Sequence, residues 1–355
     1  MYRFNLSAPG TVYLVGEHVM GYNKTCVAAS LNKRTKVMFI SIPLELQSPK
    51  IIEIEFFSIS LCVTIPLDKF RSFFEMDNSA CTFTDNEFHK KIETFVNIIQ
   101  KTNLSTLEPR NKVHQASLQA FLYLLVDISR KEQIDVTPFA IKVVTEMTMG
   151  HGLGSSASFV VCLAACFSHW SQLQKGFSFQ GFDKEKIAEY ASKCDSVIFN
   201  SQNTIESNVS VYGSATIFDG ILQNQAFTYP PIRILLVFSK VSKNLPKQIM
   251  HKRVIKHLDS FADSIFNSIN AISEKCIEIF REIEEDREYT NNLVKTKTEI
   301  SPVYRTRLPV SVIIQILIIL CCLYISLPLK IVISYSYRLK LVIFVCMYSF
   351  RNSFE

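Results

Sequence analysis

The chain predicts a two-domain protein mixing α and β structure, on three observations: its length, a strand that passes through glycines into a buried helix, and a double proline before a second set of elements. At 355 residues it can hold two cores, and 48% apolar with 20% charged residues describes a globular chain rather than a disordered one. In order, strands are expected around Val12 to Val15 and Lys36 to Ile42, followed by a variable β-rich part with polar loops to about residue 110. A helix through Ala116 to Ile128 comes next, then a strand through Phe139 to Val144 and a helix beginning near Phe159. A further helix over Asp183 to Ile198 places Ile187, Ala191, Cys194 and Ile198 three or four apart, which makes one buried stripe. Pro230 and Pro231 then break the chain before a strand at Ile232 to Phe238. From Phe261 to Ile283, Ile265, Ile269, Ile272, Cys276 and Ile279 recur at helical spacing.

The segment Gly150-His151-Gly152-Leu153-Gly154-Ser155-Ser156-Ala157-Ser158 joins the Phe139 to Val144 strand to its helix. Glycines there let backbone approach a ligand closely, and the first N–H groups of a helix lack intrahelical partners and carry the positive end of its dipole. The arrangement is a phosphate cradle. It is not a Walker loop, because no Lys follows the glycines, and its spacing is not the dinucleotide fingerprint. The paired hydroxyls of Ser155 and Ser156 suit two roles, capping the helix or ligating a phosphate-bound Mg²⁺.

The net charge of +6 is concentrated in part in a C-terminal stretch with Lys330, Arg338, Lys340 and Arg351, so no basic nucleic-acid face is indicated. Ten cysteines without an N-terminal signal peptide lead us to expect reduced thiols and a cytoplasmic setting. Cys162 and Cys166 share a helix face, yet C-x₃-C is neither a redox nor a zinc spacing, so core packing is expected of them. Leu308 to Leu329 carries no charge over 22 residues, long enough for a transmembrane helix, and Ile331 to Tyr348 is a weaker second span.

Near the N-terminus stands Ser7-Ala8-Pro9-Gly10-Thr11-Val12-Tyr13-Leu14-Val15-Gly16-Glu17-His18, followed by Asn32-Lys33-Arg34-Thr35. Together with the glycine loop, Ala120 to Leu125, Ser201 to Gly213, Ile234 to Leu236 and Ser239-Lys240-Val241, this resembles the mevalonate kinases of the galactokinase, homoserine kinase, mevalonate kinase and phosphomevalonate kinase superfamily. The resemblance is collinear over roughly the first 285 residues.

The resemblance implies an α+β, two-domain GHMP-kinase-like fold. Residues 1–222 would form a ribosomal-protein-like N-terminal α+β domain with the ATP phosphate loop, residues 223–285 an incomplete C-terminal α/β domain, and residues 286–355 an atypical hydrophobic tail. It implies an enzyme that phosphorylates mevalonate to 5-phosphomevalonate with ATP and Mg²⁺, in isoprenoid and sterol synthesis. The cradle residues would be Gly150, Gly152, Leu153, Gly154, Ser155, Ser156 and Ala157. Ser156 and Asp195 would hold the metal, Glu206 would accept or orient the proton of the substrate hydroxyl, and Glu17, His18 and Lys24 would meet the substrate. A homodimer, and membrane contact through the tail, are compatible with the same reading.

Three departures from the family pattern bear on activity. Thr11 stands where the resembling motif has a catalytic lysine. The two carboxylates are exchanged in kind, with Asp195 at a position usually Glu and Glu206 at one usually Asp. All ten glycines lie between residues 10 and 220, so the second glycine-rich loop of the family has no counterpart. The alternative expectation is therefore a non-catalytic relative, tethered to a membrane by its tail.

Overall fold

The computed structural model describes residues 1–42, 50–76, 85–102, 105–147, 152–177, 181–201, 204–218, 225–227, 233–242, 259–296 and 342–349. They fall into two compact units. The first comprises Met1–Thr11, Ser30–Met149 and Leu153–Gly213, and the second Val12–Ala29, Gly150–Gly152 and Ser214–Glu355.

In the first unit, β1 (Tyr2–Val15) begins ten residues before the expected Val12. Its opening residues alternate, with Tyr2, Phe4 and Leu6 packed on the core and Arg3, Asn5 and Ser7 exposed, the period of a half-buried strand. The later part of β2 (Cys26–Ser41) does the same, burying Thr35, Val37, Phe39 and Ser41. Strands β3 (Ile51–Phe56) and β4 (Leu61–Pro66) form an antiparallel hairpin in register from Ile51↔Pro66 to Phe56↔Leu61. Strand β5 (Phe139–Thr145) runs parallel to β3 and antiparallel to β2, giving the order β4-β3-β5-β2 in this unit.

The supposed β-rich stretch also contains two helices, α1 (Leu67–Phe74) and α2 (Asp85–Gln100). Phe88, Ile92, Phe95, Val96 and Ile99 of α2 are buried at four-, three- and one-residue intervals, a helical stripe that its dense charged neighbours obscure in the sequence. Helix α3 (Lys112–Glu132) is longer than expected at both ends and starts on Asn111, whose side chain accepts from Val113 and His114 N–H. Helix α4 (Ser155–Gln174) buries residues on all sides because it lies inside the core. Helix α5 (Lys184–Phe199) is capped by Asp183, and α6 (Ile205–Tyr212) packs against α4 and α5.

Phe39, Phe121, Phe139, Phe167 and Trp170 are fully buried between sheet and helices, with Phe39–Phe139 and Phe139–Trp170 centroids each 5.2 Å apart. Cys162 and Cys166 lie in the same core as free thiols, which fits the packing role. Among the described residues, no group of His, Cys, Asp and Glu forms a metal cluster around them.

In the second unit, Cys26–Ala29 pair antiparallel with β6 (Ala215–Phe218), which pairs with β7 (Gln225–Phe227). A 3₁₀ turn spans Glu17–Tyr22. Helix α7 (Asp259–Thr296) extends the expected helix at both ends and buries Cys276, Ile277 and Phe280 against Val15, Val27, Ala29, Ala215 and Ile217. Strand β8 (Arg233–Ser242) pairs in parallel with β9 (Val342–Ser349). The weaker span proposed for Ile331 to Tyr348 is corrected in this part, since its end is strand rather than helix; a run rich in Val, Ile and Phe is satisfied by a sheet as readily as by a membrane. Residues 308–329 lie outside the described residues, and among those described no helix is long and apolar enough to cross a membrane.

Candidate active site

The glycine loop reaches α4 through two left-handed residues, Gly152 (φ 74°) and Gly154 (φ 61°), the second being the N-cap of the helix. No side chain caps this end, so the capping role suggested for Ser155 and Ser156 is not what Gly154 leaves to be filled. Leu153 and Ala157 are buried. The Leu153 carbonyl accepts from Thr11 N–H at 3.0 Å. Gly150 and His151 lie outside the described residues.

Three bonds to Ala8, Pro9 and Thr11 of β1 fasten this end of the unit. Ser158 Oγ donates to the Ala8 carbonyl at 2.9 Å, Ser210 Oγ to the Pro9 carbonyl at 2.8 Å, and Thr11 N–H to Leu153. The small residues Ala8, Pro9 and Gly10 permit the approach: a β carbon on Gly10 would lie 2.7 Å from the Leu153 carbonyl oxygen. Ser158 and Ser210 were not singled out from the sequence. Their signal was available, since a serine inside an apolar helix must place its hydroxyl on some buried acceptor.

Asp195 is the most unusual group of the site. It lies near the C-terminal end of α5 and is 2% exposed, beside buried Ala191 and Cys194. Its Oδ1 has no hydrogen-bond partner. Burial raises its carboxyl to about 6, while hydrogen bonding to the hydroxyls of Ser201 and Ser156 draws it back down. The chain reverses at this point. Asn200, left-handed at φ 55°, and Ser201 both donate their N–H to the Asp195 carbonyl, which turns the Ser201 side chain towards the carboxylate.

Asp195 and Ser156 are thus brought together from separate helices, as are Thr11 and Gly154 from β1 and the loop. Glu206 stands half-buried in the first turn of α6, the helix against α4 and α5. Glu17 and His18 open the 3₁₀ turn of the second unit, and Lys24 follows it.

A buried carboxylate with an unsatisfied oxygen is unfavourable unless something pairs with it. Its donor set of carboxylate and hydroxyl oxygens suits a hard cation such as Mg²⁺, and the neighbouring glycine loop suits the phosphates that such a cation accompanies. The residues present fit the expected groups.

Residues 118–213, from α3 to the end of α6, match the family model described as GHMP kinases N terminal domain. The chain is 25% identical over 289 residues to mevalonate kinase of Arabidopsis thaliana, covering 78% of this chain and 74% of that one. It is 28% identical over 295 residues to mevalonate kinase of Mus musculus, covering 78% and 70%. The crystal structure of Methanococcus jannaschii mevalonate kinase shares the fold with a TM-score of 0.52 at 12% identity, covering 78% of this chain and 73% of that chain. The matched region contains the described loop glycines, the buried carboxylate and Glu206: residues 118–213 match a GHMP kinase N-terminal domain, and the chain is similar over most of its length to mevalonate kinases.

Proposed function

We propose that this chain transfers the γ-phosphoryl group of ATP to the primary hydroxyl of mevalonate. The observation that carries the reading is Asp195, a buried carboxylate with an unpartnered oxygen, within electrostatic reach of Ser156 at the start of the glycine-led helix. Similarity to curated mevalonate kinases supports the choice of acceptor. The division into residues 1–222, 223–285 and 286–355 belongs to the same reading.

Ser156 and Asp195 would hold Mg²⁺, and Gly152, Gly154 and the first N–H groups of α4 would receive the phosphates. When bound, ATP supplies the phosphoryl group and Mg²⁺ neutralises phosphate charge. Leu153 is pinned to Thr11, so the loop is shaped before the nucleotide arrives, and less ordering is charged to binding. Glu206 accepts the proton of the mevalonate hydroxyl on its carboxylate. Glu17, His18 and Lys24 orient the acceptor, with Lys24 facing its carboxylate.

A coupled ADP-release assay with mevalonate tests the proposal. Glu206→Gln should lower kcat by roughly 10²-fold or more while nucleotide binding persists. Turnover unaffected by that change would remove Glu206 from the mechanism. A second reading, a non-catalytic relative, is favoured by Thr11, which is 1% exposed and neutral where the family pattern carries a cation. Folded protein that binds no ATP would select it.

A further inference from the structure

Within the second unit, three contacts tie the segment after Gly16 to α7. Lys24 Nζ donates to Asn267 Oδ1 at 2.8 Å, and Thr25 N–H donates to Asn270 Oδ1 at 2.7 Å. The Tyr22 ring stacks on Phe266, with centroids 4.2 Å apart and planes 24° from parallel. Asn267 and Asn270 are three residues apart and so share one helix face. The orientation of the second amide is set from behind, because Asn270 Nδ2 donates to Glu274 Oε1 at 2.8 Å, one turn along. That bond leaves the amide oxygen for Thr25.

The segment itself has little freedom. Gly16 is left-handed at φ 79°, and a β carbon there would lie 2.3 Å from the Thr25 carbonyl oxygen. Asn23 is left-handed at φ 54° and closes the 3₁₀ turn on the Met20 carbonyl. Helix α7 therefore supports a turn already folded tightly on itself.

The chemistry of the partner chosen for Lys24 is informative. An ammonium group needing only a structural tether is served as well or better by a carboxylate, which adds charge to the hydrogen bond. Here the partner is a neutral amide, which occupies one of three N–H donors and leaves the positive charge uncompensated. Among the described residues no carboxylate pairs with Lys24.

We infer that Asn267 and Asn270 are positioning residues for the acceptor: Asn270 fixes the backbone of the turn, and Asn267 aims Lys24 while keeping its charge available to an anionic substrate. This rests on the reading that Glu17, His18 and Lys24 meet the mevalonate carboxylate. Neither asparagine touches the reacting atoms; each acts through the segment it holds.

The test is Asn267→Asp in the full chain, with Asn267→Gln and Asn270→Leu beside it, read by steady-state kinetics, calorimetric binding of mevalonate and thermal unfolding. Asn267→Asp keeps an acceptor for Lys24, so the unfolding midpoint should hold or rise. The KM and Kd for mevalonate should nevertheless increase about tenfold, the effect of one neutralised charge contact worth about 1.4 kcal/mol, with KM for ATP unchanged. Asn267→Gln should stay within about twofold of the parent, since it offers a neutral acceptor on a longer stem. Asn270→Leu should raise KM for mevalonate at least about fivefold, with kcat less affected, because the turn loses its fixed N–H partner.

Unchanged mevalonate binding in Asn267→Asp overturns the charge argument, and unchanged binding in Asn270→Leu overturns the positioning role of the turn. Parent protein that binds mevalonate without turnover removes the catalytic reading alone, and the calorimetric comparison still decides the asparagines. Parent protein that binds no mevalonate overturns both.

Discussion

A β carbon placed on Gly154 would stand 2.0 Å from Thr11 Oγ1, so the loop and strand β1 occupy the space of a single missing side chain. The residue before Gly154 is joined to the same strand position through the backbone, where Thr11 N–H donates to the carbonyl of Leu153. The conformation of the phosphate loop and the identity of residue 11 are therefore coupled.

Gly154→Ala should destabilise the protein by about 2–4 kcal/mol, the sum of a left-handed alanine and an overpacked contact. Urea unfolding measures it. Thr11→Ala in the same chain should recover more than about 1 kcal/mol of that loss, because the clash partner is gone while the backbone strain remains. Additive losses would show that the two residues do not share their space.

Thr11→Lys should raise kcat at least severalfold, since one preorganised electrostatic contact is commonly worth roughly 10²- to 10³-fold. The unfolding midpoint should fall at the same time. Thr11 is 1% exposed, and a long charged side chain must leave that pocket to find solvent or phosphate. Unchanged turnover in folded, active protein would sink the argument.

The raised carboxyl of Asp195 predicts the direction of a pH effect on the metal-free protein. In the unfolded chain the group titrates near its ordinary value of 3.8, and in the folded state near 6. The folded state thus holds the proton more tightly between those values. Its stabilising contribution is complete below about pH 4 and is lost as pH rises through 6. The swing amounts to roughly 3 kcal/mol at most for one group. Asp195→Asn should flatten stability across this window and stabilise the neutral-pH form, while abolishing any stabilisation by Mg²⁺ with nucleotide. Thermal unfolding from pH 4 to 8, with and without the ligands, reads both effects.

Thiol reactivity should divide the described cysteines sharply. Burial pushes the Cys162 thiol up to about 12 and those of Cys166 and Cys194 well above their ordinary value. Cys62 is exposed on β4. Brief alkylation of native protein, followed by peptide mass mapping, should label Cys62 and spare the three core thiols. Rapid labelling of Cys162 or Cys166 would contradict the packing role assigned to them.

The sequence by itself determined the elements whose chemistry is local. Glycines at 152 and 154 announce a loop of close backbone approach before a helix, the stripe through Ile187, Ala191 and Cys194 announces the buried side of α5, and the ordered motifs carry the resemblance to the mevalonate kinases. Helix α2 escaped because its apolar stripe is diluted by charges, and the early part of β1 because its alternation is carried by half-buried residues. Tertiary structure alone decided which groups meet across long separations. Ser158 and Ser210 find carbonyls of β1, Asp195 is closed in with Ser156 and Ser201, and Lys24 finds a neutral amide on α7. The reason is physical: periodicity records which face of an element is buried, whereas the partner of a buried polar group depends on what the fold carries to it from elsewhere in the chain.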